Sequence, residues 1–276
     1  MSAGFALLGL FMAWWVDHRT SNRQLAVGIF FYFTMEALQA VQYMFIASGL
    51  SSPQCEDMIN KFLTIVGFLH ICLQPYFCHL INESLCMKPH SKRTADHNRK
   101  LEKYASQYAV IKRLCLMGGF LLFLRWPMSY LPGMSTMDVS SVDGIGGSTE
   151  WLRGDSVCTF KSKNMYHLGW SIPMADPSYN VMGAGIHSFL MFAPFFALYE
   201  KKGMIIQGLV LYITGPVLAA FITENLMEQA SIWCFFSIVQ IATMLFLIRE
   251  TLIIHWGKKE LSIKTSHEKK LIKKVK

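Results

Sequence analysis

Two runs decide how this chain reads: LAVGIFFYFTMEALQAVQYMFIA at Leu25–Ala47 and FLTIVGFLHICLQPYFCHLI at Phe62–Ile81. Each is long enough to cross a bilayer as a helix, because a hydrocarbon core of ~30 Å takes about 20 residues at a rise of 1.5 Å. Each also carries polar residues at its centre, with Glu36, Gln39 and Gln42 in the first and His70, Gln74 and Pro75 in the second. A carboxylate at mid-bilayer costs ~2.5–3.5 kcal/mol on insertion scales, so Glu36 needs either a partner or a task.

Outward from this pair, the same length rule marks Ala3–Val16, Leu114–Leu131, Val181–Tyr199, Met204–Ile222 and Ala230–Ile254. The expected fold is all-α: a polytopic membrane helix bundle of about seven spans over residues 1–256, followed by a basic tail at 257–276. Composition agrees, with 53% hydrophobic and only 16% charged residues. The apolar/polar alternation of a barrel strand is missing. Ala3–Val16 is short and resembles a signal-peptide core, yet no basic residue precedes it and no cleavage site follows, so it is read as a span with Trp14 and Trp15 at its interface.

Charge orients the bundle. Of 26 Lys and Arg residues, all but Lys61, Arg125, Arg153, Lys161 and Lys163 fall on alternate loops and the tail. That partition requires an odd number of spans, with the N-terminus outside and the C-terminus cytosolic. Topology thus accounts for the net charge of +8 without a nucleic-acid partner; anionic lipid facing Lys88–Lys103 and the C-terminal tail explains the same residues. The tail ends Lys273-Lys274-Val275-Lys276, a dilysine pattern that suggests residence in the endoplasmic reticulum, against another host or viral membrane.

Between spans, Cys86–Gln107 reads as a short amphipathic or disordered cytosolic link. The exoplasmic segment 132–180 opens with the flexible stretch SSVDGIGGST and continues as CTFKSKNMYHLGWSIPMADPSYN, a composition suited to a folded cap. Cys72, Cys78, Cys115 and Cys234 lie in spans as small apolar groups, and Cys86 faces the cytosol. Cys55 and Cys158 are the exoplasmic pair and are expected to form a disulfide. Gly144–Gly147 has no strand before it and no helix after it, so no phosphate loop is implied.

Counting depth along each run places Glu36, His70, Gln74, His187, Ser237 and Gln240 near mid-membrane, Arg125 in the outer half of its helix, and Glu224 at the outer end of the sixth. At 100° per residue, Tyr32, Glu36, Gln39 and Tyr43 share one face. The expectation is a polar cavity open to the outside, with Glu36 meeting His70 or Arg125 across the bundle. Arg125 has the alternative of snorkelling outward beside Trp126 and Tyr130. Pro75, Pro194 and Gly215-Pro216 add expected kinks and freed backbone groups.

FTMEALQAVQYMF, GFLHICLQPYF and the later YHLGWSIPM segment resemble an uncharacterised seven-helix membrane family of large DNA viruses and protists. The resemblance covers under half of the chain and implies no activity or cofactor. It would put Glu36, Gln39, Gln42, His70, Gln74, Pro75, His167 and Trp170 at motif positions.

Three function classes stay open. One is a small-molecule or proton-coupled transporter, channel or ligand-binding protein, with Glu36 and His70 exchanging protons beside a polar site. Another is an intramembrane metal-dependent hydrolase, for which His70, His187 and Glu36 are the candidate ligands. The last is a receptor, although the third run ends CHLINES and the seventh ends LFLIRET, without the usual receptor motifs. Neither oligomeric state nor cofactor can be read from these residues.

Overall fold

In the computed structural model, the described residues are 2–86, 95–134, 150–176, 183, 185–197 and 202–257. They are mostly helical and form seven helices. These are α1 (Ser2–Arg19), α2 (Arg23–Gln42), α3 (Met58–Cys86), α4 (Ala95–Met128), α5 (Gly185–Ala197), α6 (202–222) and α7 (Leu226–Trp256). Two short strands, β1 (Cys158–Phe160) and β2 (Gly169–Ser171), pair antiparallel within the cap.

Five of the helices are long and apolar enough to cross a membrane: α2, α3, α6, α7 and the part of α4 from Glu102 to Met128. The apolar part of α5, Gly185–Phe196, is shorter. α1 spans 18 residues but ends in Asp17, His18 and Arg19, which dilute its apolar character. Of the expected link Cys86–Gln107, residues 95–107 are the first turns of α4 rather than disordered, helical despite their charge because Ala, Glu, Lys and Leu are good helix formers. The tail with Lys273 and Lys274, the linker SSVDGIGGST and most of Lys88–Lys103 lie outside the described residues or have undescribed side chains.

Local chemistry sets the helix ends. The Asn22 side chain accepts from the Leu25 N–H at 3.1 Å to start α2, and its amide donates to the Ser84 carbonyl at 3.0 Å, tying that start to the end of α3. α7 opens with Asn225 accepting from Met227 N–H at 3.0 Å, and the buried Glu228 follows three residues later. Thr20, just past α1, bridges to Gly257, just past α7, so these two helices finish at the same end of the bundle.

Prolines lie inside α3, α4, α5 and α6, and those of α3 and α6 bear on the interior. Pro75 sits inside the continuous α3 and leaves the Ile71 carbonyl without its helical donor. In α6, α-helix Lys202–Tyr212 passes through a π-helical turn at Ile213–Val217, which contains Gly215 and Pro216, into α-helix Leu218–Ile222. A Cβ at Gly215 would sit 2.5 Å from the Trp233 indole nitrogen, so the π turn and that Trp on α7 fit only through a glycine. Likewise Gly119 of α4 lies against the Cys72 carbonyl of α3, which lets the two backbones approach.

Candidate functional site

The cap closes the end of the bundle where α2 finishes and α3 begins. Cys55 and Cys158 are disulfide-bonded, S–S 2.01 Å, joining the turn before α3 to β1. Asn60 treats β1 as a neighbouring strand would. Its Oδ1 accepts from Thr159 N–H at 2.9 Å, while its Nδ2 donates to Thr159 O at 2.8 Å. Gln42 donates to Leu63 O and the Thr159 hydroxyl and accepts from the Trp170 indole at 3.2 Å. Glu228 accepts from the His167 backbone N–H at 2.5 Å and the Thr223 hydroxyl at 2.7 Å. Leu168, Trp170, Ile172 and Met174 are almost fully buried beneath these contacts.

Arg125 belongs to the same lock. Its guanidinium forks onto the Glu150 carboxylate, with Nη2–Oε2 at 2.8 Å, and donates to Ala175 O from Nε at 3.0 Å and from Nη2 at 2.6 Å. It is fully buried, so it neither snorkels nor meets Glu36. Arg153 adds a 3.2 Å contact to Asp176 and a 3.6 Å contact to Glu150. Such planar, bidentate pairing is what arginine does better than lysine. In the cap, burial and secondarily the Lys161 charge push the His167 imidazole down to about 4.

The other expected site residues do not converge on one outward-open cavity, because the cap occupies that end. His70 turns to α2, with Nε2 at 2.7 Å from Phe31 O and 3.2 Å from the Thr34 hydroxyl, and its ring stacks on Phe31. Glu36 therefore meets neither of its expected partners. It is fully buried beside Gln39, and none of their four side-chain polar atoms is hydrogen-bonded. Ser2 comes within reach of the Glu36 carboxyl without a hydrogen bond of ordinary geometry, which sets the positive end of α1 beside it. Glu224 is exposed in the turn between α6 and α7.

Gln74 and His187 do come together. With Trp151, Trp233, Leu152 and Met174 they line a cavity of about 20 Å³ under the cap, room for about one water. Neither His187 ring nitrogen has a hydrogen bond of ordinary geometry, although the Ile71 carbonyl that Pro75 frees comes within reach. Gln74 donates to Cys234 Sγ at 3.0 Å, and its own carbonyl accepts from Tyr32 OH at 3.2 Å.

Trp233 is also the upper wall of a much larger groove of about 730 Å³, which runs from mid-bundle toward the uncapped end between α3, α5, α6 and α7. Ser237 and Gln240 line it, sharing a face as their spacing implied. Gln240 hydrogen-bonds Thr214 across from α7 to α6, and nearer the uncapped end Gln207 of α6 donates to Asn82 of α3 at 2.9 Å. Between these two ties the wall is apolar, and Ile206, Val210 and Leu247 at its edge are half or more exposed.

Among the described residues, no three His, Cys, Asp or Glu side chains are grouped to hold a metal ion, which corrects the ligand set His70, His187 and Glu36. Sequence reasoning missed Asn60, Glu150, Glu228 and Trp233. Glu228 had a signal in the helix-start spacing Asn225-x-x-Glu228. Trp233 had none, since an aromatic residue in a span reads as core.

No curated protein and no solved structure matches the chain. Residues 1–253 match a family of unknown function, DUF5765. With nearly its whole length matched, the chain belongs to that family, whose description leaves its activity open.

Proposed function

We propose that this is a multi-pass membrane protein that binds a membrane-dissolved small molecule in the groove between α6 and α7. The observation that carries the reading is the groove itself: about 730 Å³, within the ~300–1,000 Å³ range of ligand clefts, apolar-walled, with a few placed polar groups. Its mouth is framed by exposed apolar side chains, which in a bilayer face hydrocarbon, so a ligand would enter sideways from the lipid. Seven spans, an exoplasmic cap and a cytosolic tail in contact with anionic lipid complete the proposal, supported by the Lys and Arg distribution.

Photolabelling tests this reading. A small hydrophobic carbene reagent added to membranes containing the full chain should modify groove-lining residues within 206–218 and 233–252, and Val210→Trp, which fills the mouth, should suppress that labelling. Labelling confined to lipid-facing residues such as Phe221 and Ile254, unchanged by Val210→Trp, would overturn it.

The fully buried Glu36 and Gln39, whose side chains make no hydrogen bond of ordinary geometry, favour a second reading, proton-coupled transport. Proton uptake by proteoliposomes that is abolished by Glu36→Gln supports it, and equal uptake by the two proteins refutes it.

A further inference from the structure

We infer that the occupant of the groove is a neutral lipid with one small hydroxyl or carbonyl head, of the sterol or isoprenoid-alcohol class, rather than a fatty acid, a phospholipid or a cationic amphiphile. The inference rests on the binding reading above and specifies its ligand.

Charge is the first argument. No Lys, Arg, His, Asp or Glu is among the described residues that line the groove. A carboxylate, phosphate or ammonium placed there would be stripped of water with no counter-charge, which the low-dielectric interior penalises heavily. Around the uncapped end, Lys112 is already engaged by Glu83 at 2.6 Å, Gln24 holds the same carboxylate oxygen at 2.5 Å, and Arg249 of α7 lies over the Phe246 ring at 4.1 Å and donates to the Phe246 carbonyl at 2.9 Å. That end offers no free cation to an acidic head among the described residues that line it.

The second argument is the kind and placement of the polar groups. Besides Tyr32 and Thr243, they fall in two tiers: Thr214, Gln240 and Ser237 at mid-bundle, Gln207, Asn82 and Thr251 toward the uncapped end. All are hydroxyls or amides, which both donate and accept. Thr214–Gln240 and Gln207–Asn82 are paired with each other across helices, so they are satisfied in the empty groove. A ligand hydroxyl can join either pair as a further donor or acceptor without leaving a charge or an orphan behind. A molecule with no polar atom would gain nothing from the tiers, and one with several would leave most of its own groups unmatched against apolar walls.

Size and access agree. About 730 Å³ suits one compact molecule. Entry between α6 and α7 through a rim of Ile206, Val210 and Leu247 selects solutes already dissolved in hydrocarbon.

The test is probe competition on the purified full chain in detergent, with diazirine derivatives of a sterol, a long-chain fatty acid and phosphatidylcholine at equal concentration. The sterol probe should saturate at one per chain, map to 206–218 or 233–252, and be displaced at least about tenfold better by unlabelled sterol than by fatty acid, the ratio that one decisive polar interaction produces. Gln240→Leu together with Gln207→Leu should weaken the sterol probe while leaving groove labelling by the headless carbene reagent intact. If the fatty acid or phospholipid probe labels the groove as well as the sterol does, the ligand class is wrong and the binding reading survives. If no probe and no carbene reagent reaches the groove, or if crosslinked dimers appear through α6 and α7 instead, both fail.

Discussion

Arg125 shows what a buried charge in this bundle is for. It is fully buried and engaged by Glu150 and the Ala175 carbonyl, so it pins the cap rather than serving a site in the bundle. Arg125→Ala leaves Glu150 without its fork and should cost about 3–5 kcal/mol, while Arg125→Lys should recover only part of it. Thermal melts of the two single variants and the double variant with Glu150→Gln check this, with a coupling energy above about 1 kcal/mol expected from the cycle. His167 gives a pH signature. Its folded value, about 4, lies below the ordinary range near 6.5, so between these values the unfolded chain binds more protons. Cap stability should therefore be full above about pH 6.5 and fall as pH drops toward 4, and His167→Gln should flatten that slope in melts taken across the window.

At the scale of elements, the long apolar helices were legible because apolar length is a strong signal: Phe62–Ile81 lies within α3, whereas α2 stops at Gln42, before Tyr43–Ala47 of its run. The start of α4 was not, because helix propensity at 95–107 is masked by charge in any hydropathy reading. The cap was legible as a folded unit, but its lock depends on Asn60 meeting Thr159 across 99 residues, which no local pattern encodes. The Cys55–Cys158 bond closes a sequence separation of 103, so Cys55→Ser with Cys158→Ser should lower stability by ~2–5 kcal/mol, measured by denaturant unfolding. The π turn in α6 makes a sharper forecast. Gly215→Ala puts a Cβ 2.5 Å from Trp233 Nε1, so it should cost ~1–3 kcal/mol and shift the indole emission, while Phe221→Leu on the exposed face of α6 should do neither.

The whole molecule is a bundle locked at one end by its cap and cleft along one side toward the other. The polar residues that looked convergent in sequence serve separate duties: Gln42 and Arg125 hold the cap, His70 bonds the backbone of α2, Gln74 and His187 line a water-sized cavity, and Ser237 and Gln240 face the groove. Depth along a helix predicts the level of a residue but not its azimuth against neighbours, and the groove arises from how α6 and α7 part below the π turn. Occupancy of the groove decides the functional reading. Native mass spectrometry of the full chain released from nanodiscs made with its own membrane lipids tests that most directly. A peak carrying one bound neutral molecule per chain is expected, lost in Val210→Trp and Ser237→Trp; a bare chain alone, identical in all three proteins, would rule out the groove as a ligand site.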